Sequence, residues 1–396
     1  MSRLWDKGAP LDERVLQYTA GEDYALDERL VRYDVRASIA HAAMLQQQKL
    51  LSAADFKLIR DGLTELGEEH ARGDWHIELT DEDGQTALEG RLTARIGPAG
   101  GRVHLGRSRN DQVLTALRLY LRDVIEELGA GTRRVVDALE RLSARSSGIT
   151  LPGYTHMQQA MPSSVALWAG GYASELRDDA QGIAGVSRRL NRNPLGSAAG
   201  YGAPGLPLDR DATTQSLGFT ETHDPVTAVQ LSRGKAESEL LFQTTLLMQD
   251  LGRLAADVLL FYTQEFAFVA LPDAFTTGSS IMPQKRNPDV FELIRGRSAS
   301  ALGCLVEAMG LFAKLPSGYQ RDLQLLKFPL FRGIDLALQT LDILVPGIDA
   351  MQFRPERIHL DPAIHAAEQA YALVVQEGIP FREAYRRVGA QLTKKS

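Results

Sequence analysis

The chain has 396 residues, of which 44% are hydrophobic and 24% charged, and its net charge is −6. This composition is typical of a large globular protein, and it gives no reason to expect nucleic acid or an anionic membrane as a partner. Cys304 is the only cysteine, which excludes an intrachain disulfide and favours a reducing compartment. The N-terminal stretch MSRLWDKGAP lacks the apolar region of a signal peptide, and the most apolar stretch, 259–271, is shorter than the ~20 residues of a membrane helix. We therefore expect a cytoplasmic protein.

The first 106 residues are predicted to form a small helical domain. Ser52 has the position of an N-cap, with Asp55 three residues later, and it precedes apolar residues at helical spacing. A second helix is predicted over 83–96, where Gly97 and a following proline end it.

The middle of the chain, residues 107–355, is predicted to be a bundle of long helices. In the first of them, 110–147, leucine and valine residues recur every three or four positions, which predicts a rod of roughly 55 Å at 1.5 Å per residue. Gly129 and Gly131 weaken its middle, and Pro329 should kink or interrupt the last long helix. The further helices are predicted at about 162–191, 229–270, 288–315 and 322–346.

This pattern predicts an all-α protein in which five long helices form a bundle. Helices much longer than 25 residues indicate that the bundle buries its remaining apolar faces against copies of itself; a monomeric helical array is the alternative. Residues 356–396 are predicted to form a short C-terminal domain with two helices, which start near Pro362 and Pro380.

The stretch TTGSSIMPQKRNPD, residues 276–289, is the strongest candidate for chemistry. Asn287 and the proline after it have the pattern of a helix start, so the preceding residues should form a loop that leads to the positive end of a helix. The hydroxyl of Ser279 is a poor base unless its alkoxide is stabilised, and backbone N–H groups and the Lys285 ammonium would provide that stabilisation. The alternative is a surface loop with a solvated Lys-Arg pair.

Two further stretches hold polar side chains between glycines and prolines. Thr155 and His156 lie in PGYTHMQQAMPSS, just before a helix expected to start near Pro162. In GRSRNDQV, Ser108 and Asn110 are placed to cap the long helix. A helix N-terminus with arginines beside it is also an anion site, so helix capping and anion binding both remain open here.

Together these stretches resemble the fumarase/aspartase superfamily of lyases, and GRSRNDQV and GYTHMQ resemble the argininosuccinate lyase family. The resemblance extends from about residue 26 (LDERLVRYDVRASIAHA) to about residue 388. It implies a three-domain, all-α homotetramer whose active sites combine segments of several subunits. It also implies reversible cleavage of argininosuccinate to arginine and fumarate, in arginine synthesis, without cofactor or metal.

The resemblance also implies a role for individual residues. Ser279 would be the base on a mobile loop, helped by Lys285, and His156, partnered by Glu292, would be the acid or a relay. The substrate-binding positions implied by the resemblance, or by the anion site at the helix start, are Ser108, Arg109, Asn110, Thr155, Asn287, Tyr319, Gln324 and Lys327.

The chain departs from the family pattern at several positions near the substrate. Asp23 stands about where a serine is expected, Gln85 replaces a usual histidine, Arg321 stands where a lysine is common, and the run QLSRGKAESE (230–239) replaces a Ser-Asp-Arg-Asp run. These departures indicate a divergent branch and leave open a modified relative of argininosuccinate as substrate. Two alternatives are another fumarate-releasing lyase, such as adenylosuccinate lyase, and a non-catalytic, crystallin-like helical oligomer.

Overall fold

A computed structural model describes residues 12–392. The N-terminal stretch MSRLWDKGAP lies outside the described residues. The predicted all-α class is confirmed, since short strands only interrupt the helices. α-Helices of six residues or more, numbered in chain order, are α1 (Glu13–Ala20), α2 (Val31–Gln47), α3 (Ala53–Ala71), α4 (Gly84–Ile96), α5 (Arg109–Arg145), α6 (Val165–Gly185), α7 (Arg210–Leu217), α8 (Val226–Leu231), α9 (Lys235–Tyr262), α10 (Asp289–Phe312), α11 (Lys327–Ala350), α12 (Ala366–Glu377) and α13 (Phe381–Leu392).

Three small two-stranded sheets join these helices. The strands β1 and β2 form an antiparallel hairpin, β3 pairs in parallel with β4, and β5 pairs antiparallel with β6. Their bounds are β1 (Thr150–Thr155), β2 (Gln158–Ser164), β3 (Arg192–Asn193), β4 (Glu221–Thr222), β5 (Val269–Ala270) and β6 (Gln352–Phe353). Within residues 12–392, no helix has both the length and the apolar character needed to cross a bilayer.

The chain divides into two compact units. Unit 1 comprises residues 12–129, 181–245 and 300–336, and unit 2 comprises residues 130–180, 246–299 and 337–392. The division falls inside all five long helices, so each of them contributes residues to both units. A division across helices does not test the domain boundaries predicted at residues 106 and 355, which stay predictions.

In unit 1, the helices α2, α3 and α4 pack around a buried apolar core. Leu45, Leu63 and Leu92, one from each helix, are each at most 1% exposed. Ser52 caps α3 as predicted, because its hydroxyl accepts a hydrogen bond from the Asp55 N–H at 3.0 Å. Such a cap stabilises a helix by about 1 kcal/mol. The pattern of apolar residues and caps therefore predicts α3 and α4, whereas α2 was not among the predicted helices.

The helix α5 is the rod predicted from the leucine pattern. It runs for 37 residues without a break. The leucine and valine residues of the predicted pattern are buried before and after Gly129 and Gly131. Gly131 does not end the helix. A side chain there would come within 3.0 Å of the Leu341 methyl group, so glycine allows α11 to approach closely. The helix propensity lost at glycine, about 1 kcal/mol, is outweighed by burial along the rod.

One sequence prediction about a proline is wrong. Pro329 does not interrupt α11, because the helix begins at Lys327 and its first turn tolerates a missing N–H. The helix predicted to start near Pro162 is α6, which begins at Val165, and Pro162 itself lies in β2. The C-terminal helices α12 and α13 follow Pro362 and Pro380 closely, as predicted.

Candidate active site

The serine loop, which we define as residues 276–288, leads into α10 and has a fixed base. The Thr277 N–H donates to the Asn287 carbonyl oxygen at 3.0 Å, and the Asn287 N–H donates back to the Thr277 carbonyl at 2.8 Å. Between these two residues, 280–286 are exposed. The helix begins at Asp289, one residue later than predicted. The loop therefore has a closed base and an exposed tip.

The hydroxyl of Ser279 lies at the start of this tip and faces two backbone donors. Its Oγ accepts hydrogen bonds from the Met282 N–H at 3.2 Å and the Ile281 N–H at 3.4 Å. Backbone donors of this kind stabilise a negative charge on oxygen without any rearrangement. This arrangement would stabilise a negative charge on the Ser279 oxygen.

Lys285, Asn287 and Glu292 line one side of a surface cavity of about 700 Å³ in unit 2. The Asn287 side-chain amide donates to the Gly278 carbonyl at 3.3 Å, which ties the helix start to the residue before Ser279. Within residues 12–392, no hydrogen bond joins the Lys285 ammonium to the Ser279 hydroxyl. The structure therefore places these predicted residues on one loop and one helix start, with the ammonium at the exposed tip.

His156 lies at the tip of the β1–β2 hairpin, and not in a loop before a helix. Thr155 pairs with Gln158, so His156 and Met157 form a two-residue turn with φ values of 51° and 60°. This backbone matches the twist of a hairpin. The imidazole is exposed, and no hydrogen bond to Glu292 is found in the described part of the chain. The hairpin therefore presents His156 outward.

A second cavity, of about 90 Å³, lies in unit 1 and is referred to as the unit 1 cavity. It gathers five of the residues predicted to bind substrate and three at which the chain departs from the family pattern. A water molecule needs about 10–15 Å³ of such volume, so the cavity has room for a charged group such as a carboxylate but not for a whole amino-acid derivative. Its predicted lining residues are Arg109, Asn110, Tyr319, Gln324 and Lys327, and the departures are Asp23, Gln85 and Arg321.

The start of α5 is held by the buried carboxylate of Asp111. This carboxylate accepts hydrogen bonds from the N–H groups of Ser108 at 2.9 Å, Gly196 at 2.9 Å and Ala198 at 2.8 Å. Burial raises the pKa of Asp111 to about 6, although the backbone donors oppose the shift. The Ser108 hydroxyl accepts from the Asn110 N–H at 3.3 Å. Capping is therefore the role of Ser108 that the contacts support, while its neighbours Arg109 and Asn110 line the cavity.

Lys327 lies between two carboxylates at the wall of the unit 1 cavity. Its ammonium is 2.6 Å from an Asp23 oxygen and 2.6 Å from an Asp27 oxygen, and its side chain is 3% exposed. Burial raises the pKa of Asp23 to about 7, with Lys327 opposing this shift and Asp27 adding to it. Burial alone would lower the pKa of Lys327, but the two carboxylates outweigh it and raise this pKa. This cluster therefore has two carboxyl groups, of Asp23 and Asp27, for the one ammonium of Lys327.

Arg233 is a lining residue of the unit 1 cavity that is absent from the residues predicted from sequence. It lies in the run 230–239 that departs from the family pattern. Its guanidinium carbon is 5.7 Å from the centre of the Tyr319 ring, a cation–π distance. An arginine in a sequence that differs from the expected pattern gave no signal by itself.

Comparison with known proteins identifies the family to which the chain belongs. A family model described as "Lyase" matches residues 11–303. Argininosuccinate lyase of Sorangium cellulosum (strain So ce56) is 45% identical over 392 residues, covering 98% of this chain and 90% of the relative. Argininosuccinate lyase of Thermotoga neapolitana is 39% identical over 388 residues, covering 98% of this chain and 97% of the relative.

Solved structures agree on the fold. A crystal structure of an EDDS lyase in complex with formate has a TM-score of 0.83 at 25% identity, covering 98% of this chain and 77% of that chain. A class II fumarase of Schistosoma mansoni has a TM-score of 0.80 at 17% identity, covering 98% of this chain and 91% of that chain. The second likeness shows the fold alone. Given relatives of 39–45% identity along nearly the whole length, this chain belongs to the argininosuccinate lyase family of the fumarase/aspartase superfamily.

Proposed function

We propose that the chain catalyses the reversible elimination of fumarate from argininosuccinate, which gives arginine. The observation that carries the proposal is the Ser279 hydroxyl, which accepts two backbone N–H hydrogen bonds on a loop with a fixed base. The β1–β2 hairpin adds His156 as the proposed acid or relay and Thr155 as a proposed binding residue, and the start of α5 adds Asn110 as another.

The reaction breaks a C–H bond and a C–N bond. Ser279, as alkoxide, takes the proton from the carbon beside a carboxylate, and this leaves a dianionic aci-carboxylate. Charge on that intermediate needs fixed donors and cations, and Lys285 is the cation on the same loop. The C–N electron pair leaves with the guanidinium nitrogen, which receives a proton from an acid. His156 is the proposed acid or relay, with Glu292 as its proposed partner.

The unit 1 cavity is the proposed binding site for one end of the substrate. Asn110 offers its side-chain amide there, and Tyr319 offers a hydroxyl and an aromatic face. Gln324 offers its side-chain carbonyl oxygen, because its amide nitrogen already donates to the Thr19 and Ala20 carbonyl oxygens, and Arg109 lines the cavity while paired with Asp83. Thr155 and Asn287 are the proposed binding residues of unit 2. Because the unit 1 cavity is smaller than a whole amino-acid derivative, the rest of the substrate must extend beyond it.

The proposed assembly is a homotetramer, with active sites that combine segments of several subunits. Its support is a set of exposed apolar side chains along the long helices α9 and α10, which an isolated chain would leave in water. These are Phe242, Leu246, Leu293, Leu302, Val306 and Met309, each more than a third exposed.

The test of the proposed reaction is fumarate release, followed by ultraviolet absorbance. Argininosuccinate and adenylosuccinate are offered separately to the purified protein, and we expect release from argininosuccinate. Release from adenylosuccinate alone, or from neither compound, would overturn the proposal.

The role of Ser279 is tested with a matched pair of variants. Ser279→Ala should lower turnover at least about a hundredfold, the usual contribution of a positioned base, while the protein keeps its helical content. Ser280→Ala changes the adjacent, exposed serine of the same loop and should leave turnover near that of the wild type. If both variants turn over normally, Ser279 is not the base.

A further inference from the structure

Four cationic side chains line the unit 1 cavity, and three of them are paired with carboxylates. Arg109 is 2.6 Å from Asp83, and Arg321 is 3.7 Å from Glu82. Lys327 is held between Asp23 and Asp27, at 2.6 Å from each. An incoming carboxylate would have to compete with these acids, so none of the three is poised to receive it. The paired cations are Arg109, Arg321 and Lys327.

Arg233 is the fourth cation, and it differs from the others. Its residue is 4% exposed, and its Nε and one terminal nitrogen have no hydrogen-bond partner among residues 12–392. Buried polar atoms without a partner are uncommon, because each carries an uncompensated desolvation cost. A buried guanidinium with unpartnered N–H donors at a cavity wall has the charge and the donors needed to bind an anion.

We infer that Arg233 binds a carboxylate of the substrate, and that Lys327 does not make this contact directly. Guanidinium N–H groups match a carboxylate in geometry, and the unit 1 cavity has room for one such group. Lys327 would instead orient the carboxylates of Asp23 and Asp27. The inference rests on the proposed function for the identity of the substrate, but the dicarboxylate fumarate tests it without turnover.

The local backbone fixes the Arg233 side chain at this wall. Arg233 donates its backbone N–H to the Gln230 carbonyl at 3.2 Å. The next residue, Gly234, has a φ of +84°, a conformation that side chains rarely adopt. The turn ends one residue before α9, and the Tyr319 ring lies beside the guanidinium. Arginine is therefore held in place before any ligand arrives, which limits the entropy lost on binding.

The experiment measures the Kd of fumarate for the intact protein by isothermal titration calorimetry. Arg233→Met should weaken fumarate binding about tenfold or more, the usual effect of losing a hydrogen-bonded charge pair. Arg233→Lys should recover part of the affinity, because it keeps the charge without the paired geometry. Arg188→Met removes a positive charge from an exposed position of unit 1 and should leave the Kd within about twofold of wild type.

A second variant separates a binding role from a structural one. Asp23→Ser removes one of the two acids that hold Lys327, so the ammonium keeps its contact with Asp27 and gains an N–H donor that an anion can use. In an Arg233→Met background, Asp23→Ser should therefore restore much of the lost affinity, whereas damage to the fold would not be repaired. If Arg233→Met does not fold, Arg233→Lys becomes the test. A fumarate Kd of Arg233→Lys equal to that of the wild type would then overturn the inference.

The outcomes for the two proposals differ. If the wild type binds fumarate and the Kd of Arg233→Met is unchanged, the inference about Arg233 is wrong, whatever the turnover. If Arg233→Met loses fumarate binding but the wild type does not act on argininosuccinate, the inference holds and the proposed substrate is wrong. If the wild type does not bind fumarate, the proposed carboxylate-binding site at Arg233 is wrong.

Discussion

At the scale of single residues, Asp23 changes the charge balance at the wall of the unit 1 cavity. It adds a second carboxylate to a lysine that Asp27 already neutralises. Burying an excess acid is costly unless it takes up a proton, which is why its pKa is raised to about 7. The charge of this wall therefore changes near neutral pH.

Asp23→Asn should change how stability depends on pH. The pKa of Asp23 in the folded chain, about 7, is above its ordinary value of 3.8, so the folded state keeps a proton that the unfolded chain releases. The free energy of unfolding from this group therefore falls as pH rises from 3.8 to about 7 and is level above that. The variant lacks this contribution, and its unfolding midpoint should depend less on pH over this range.

Thermal unfolding of both proteins across this pH range is the measurement. Asp34 and Asp111, whose pKa values are also raised to about 6, are present in both proteins, so the difference between the two curves isolates Asp23. Parallel curves would show that Asp23 is ionised in the folded chain throughout the range.

The site residues differ in how far sequence could predict them. The Ser279 environment was predicted from chemistry, because a serine base needs backbone donors and a loop before a helix supplies them. The Arg233 contact was not predictable, since it depends on which cations the surrounding acids occupy. Likewise, the pairing of Lys327 with Asp23 joins residues about 300 positions apart along the chain, which local patterns do not encode.

At the scale of elements, the start of α5 depends on one carboxylate that binds three backbone N–H groups. Asp111→Ala would leave those N–H groups, from Ser108 and from the glycine-rich loop after β3, without their acceptor. Each buried N–H that loses its partner costs about 1–3 kcal/mol. We expect a loss of stability of at least about 2 kcal/mol, with lower fumarate release because Asn110 is adjacent.

Urea unfolding of Asp111→Ala, compared with Asp137→Ala, checks this expectation. Asp137 is an exposed aspartate on the same helix, so its replacement removes the same side chain without breaking a buried contact. Equal unfolding midpoints for the two variants would mean that the Asp111 hydrogen bonds do not hold the helix start.

The elements show where local sequence patterns suffice and where they fail. Long apolar periodicity predicted α5 because the same periodicity is buried along its length. The β1–β2 hairpin was missed, since its turn has His156 and Met157 at positive φ instead of the asparagine or glycine that marks such turns. Pro329 was misread because its effect depends on its distance from the helix start, and sequence gives helix boundaries only approximately.

At the scale of the whole molecule, the exposed apolar face of α9 and α10 is where assembly can be tested. Val306 on α10 is 64% exposed in the single chain, and Val306→Glu would place a charge in the proposed interface, where burying it is unfavourable. Light scattering after gel filtration should give the wild type a mass near four times 43.5 kDa and the variant a smaller mass. Val375→Glu, at an exposed valine of α12, is the control and should keep the wild-type mass.

The division of candidate residues between units makes a second prediction about assembly. Ser279 and His156 belong to unit 2, whereas Asn110 and Arg233 belong to unit 1. If active sites combine segments of several subunits, an inactive Ser279→Ala chain and an inactive Asn110→Ala chain should regain measurable activity when they are unfolded and reassembled together. Activity no higher than that of the separate variants would indicate that each site belongs to one chain.

The fixed base of the serine loop also determines what a protease would do to this protein. Lys285 and Arg286 lie on the exposed tip, where trypsin cleaves most readily, and the base is held by the backbone pair of Thr277 and Asn287. A single cut would separate Ser279 from α10 in the covalent chain, yet the hydrogen-bonded base would keep both ends in register. The nicked protein would thus keep its fold and its size, although Ser279 and α10 would no longer be joined by the covalent chain. A ligand that covers Lys285 and Arg286 would slow this cleavage.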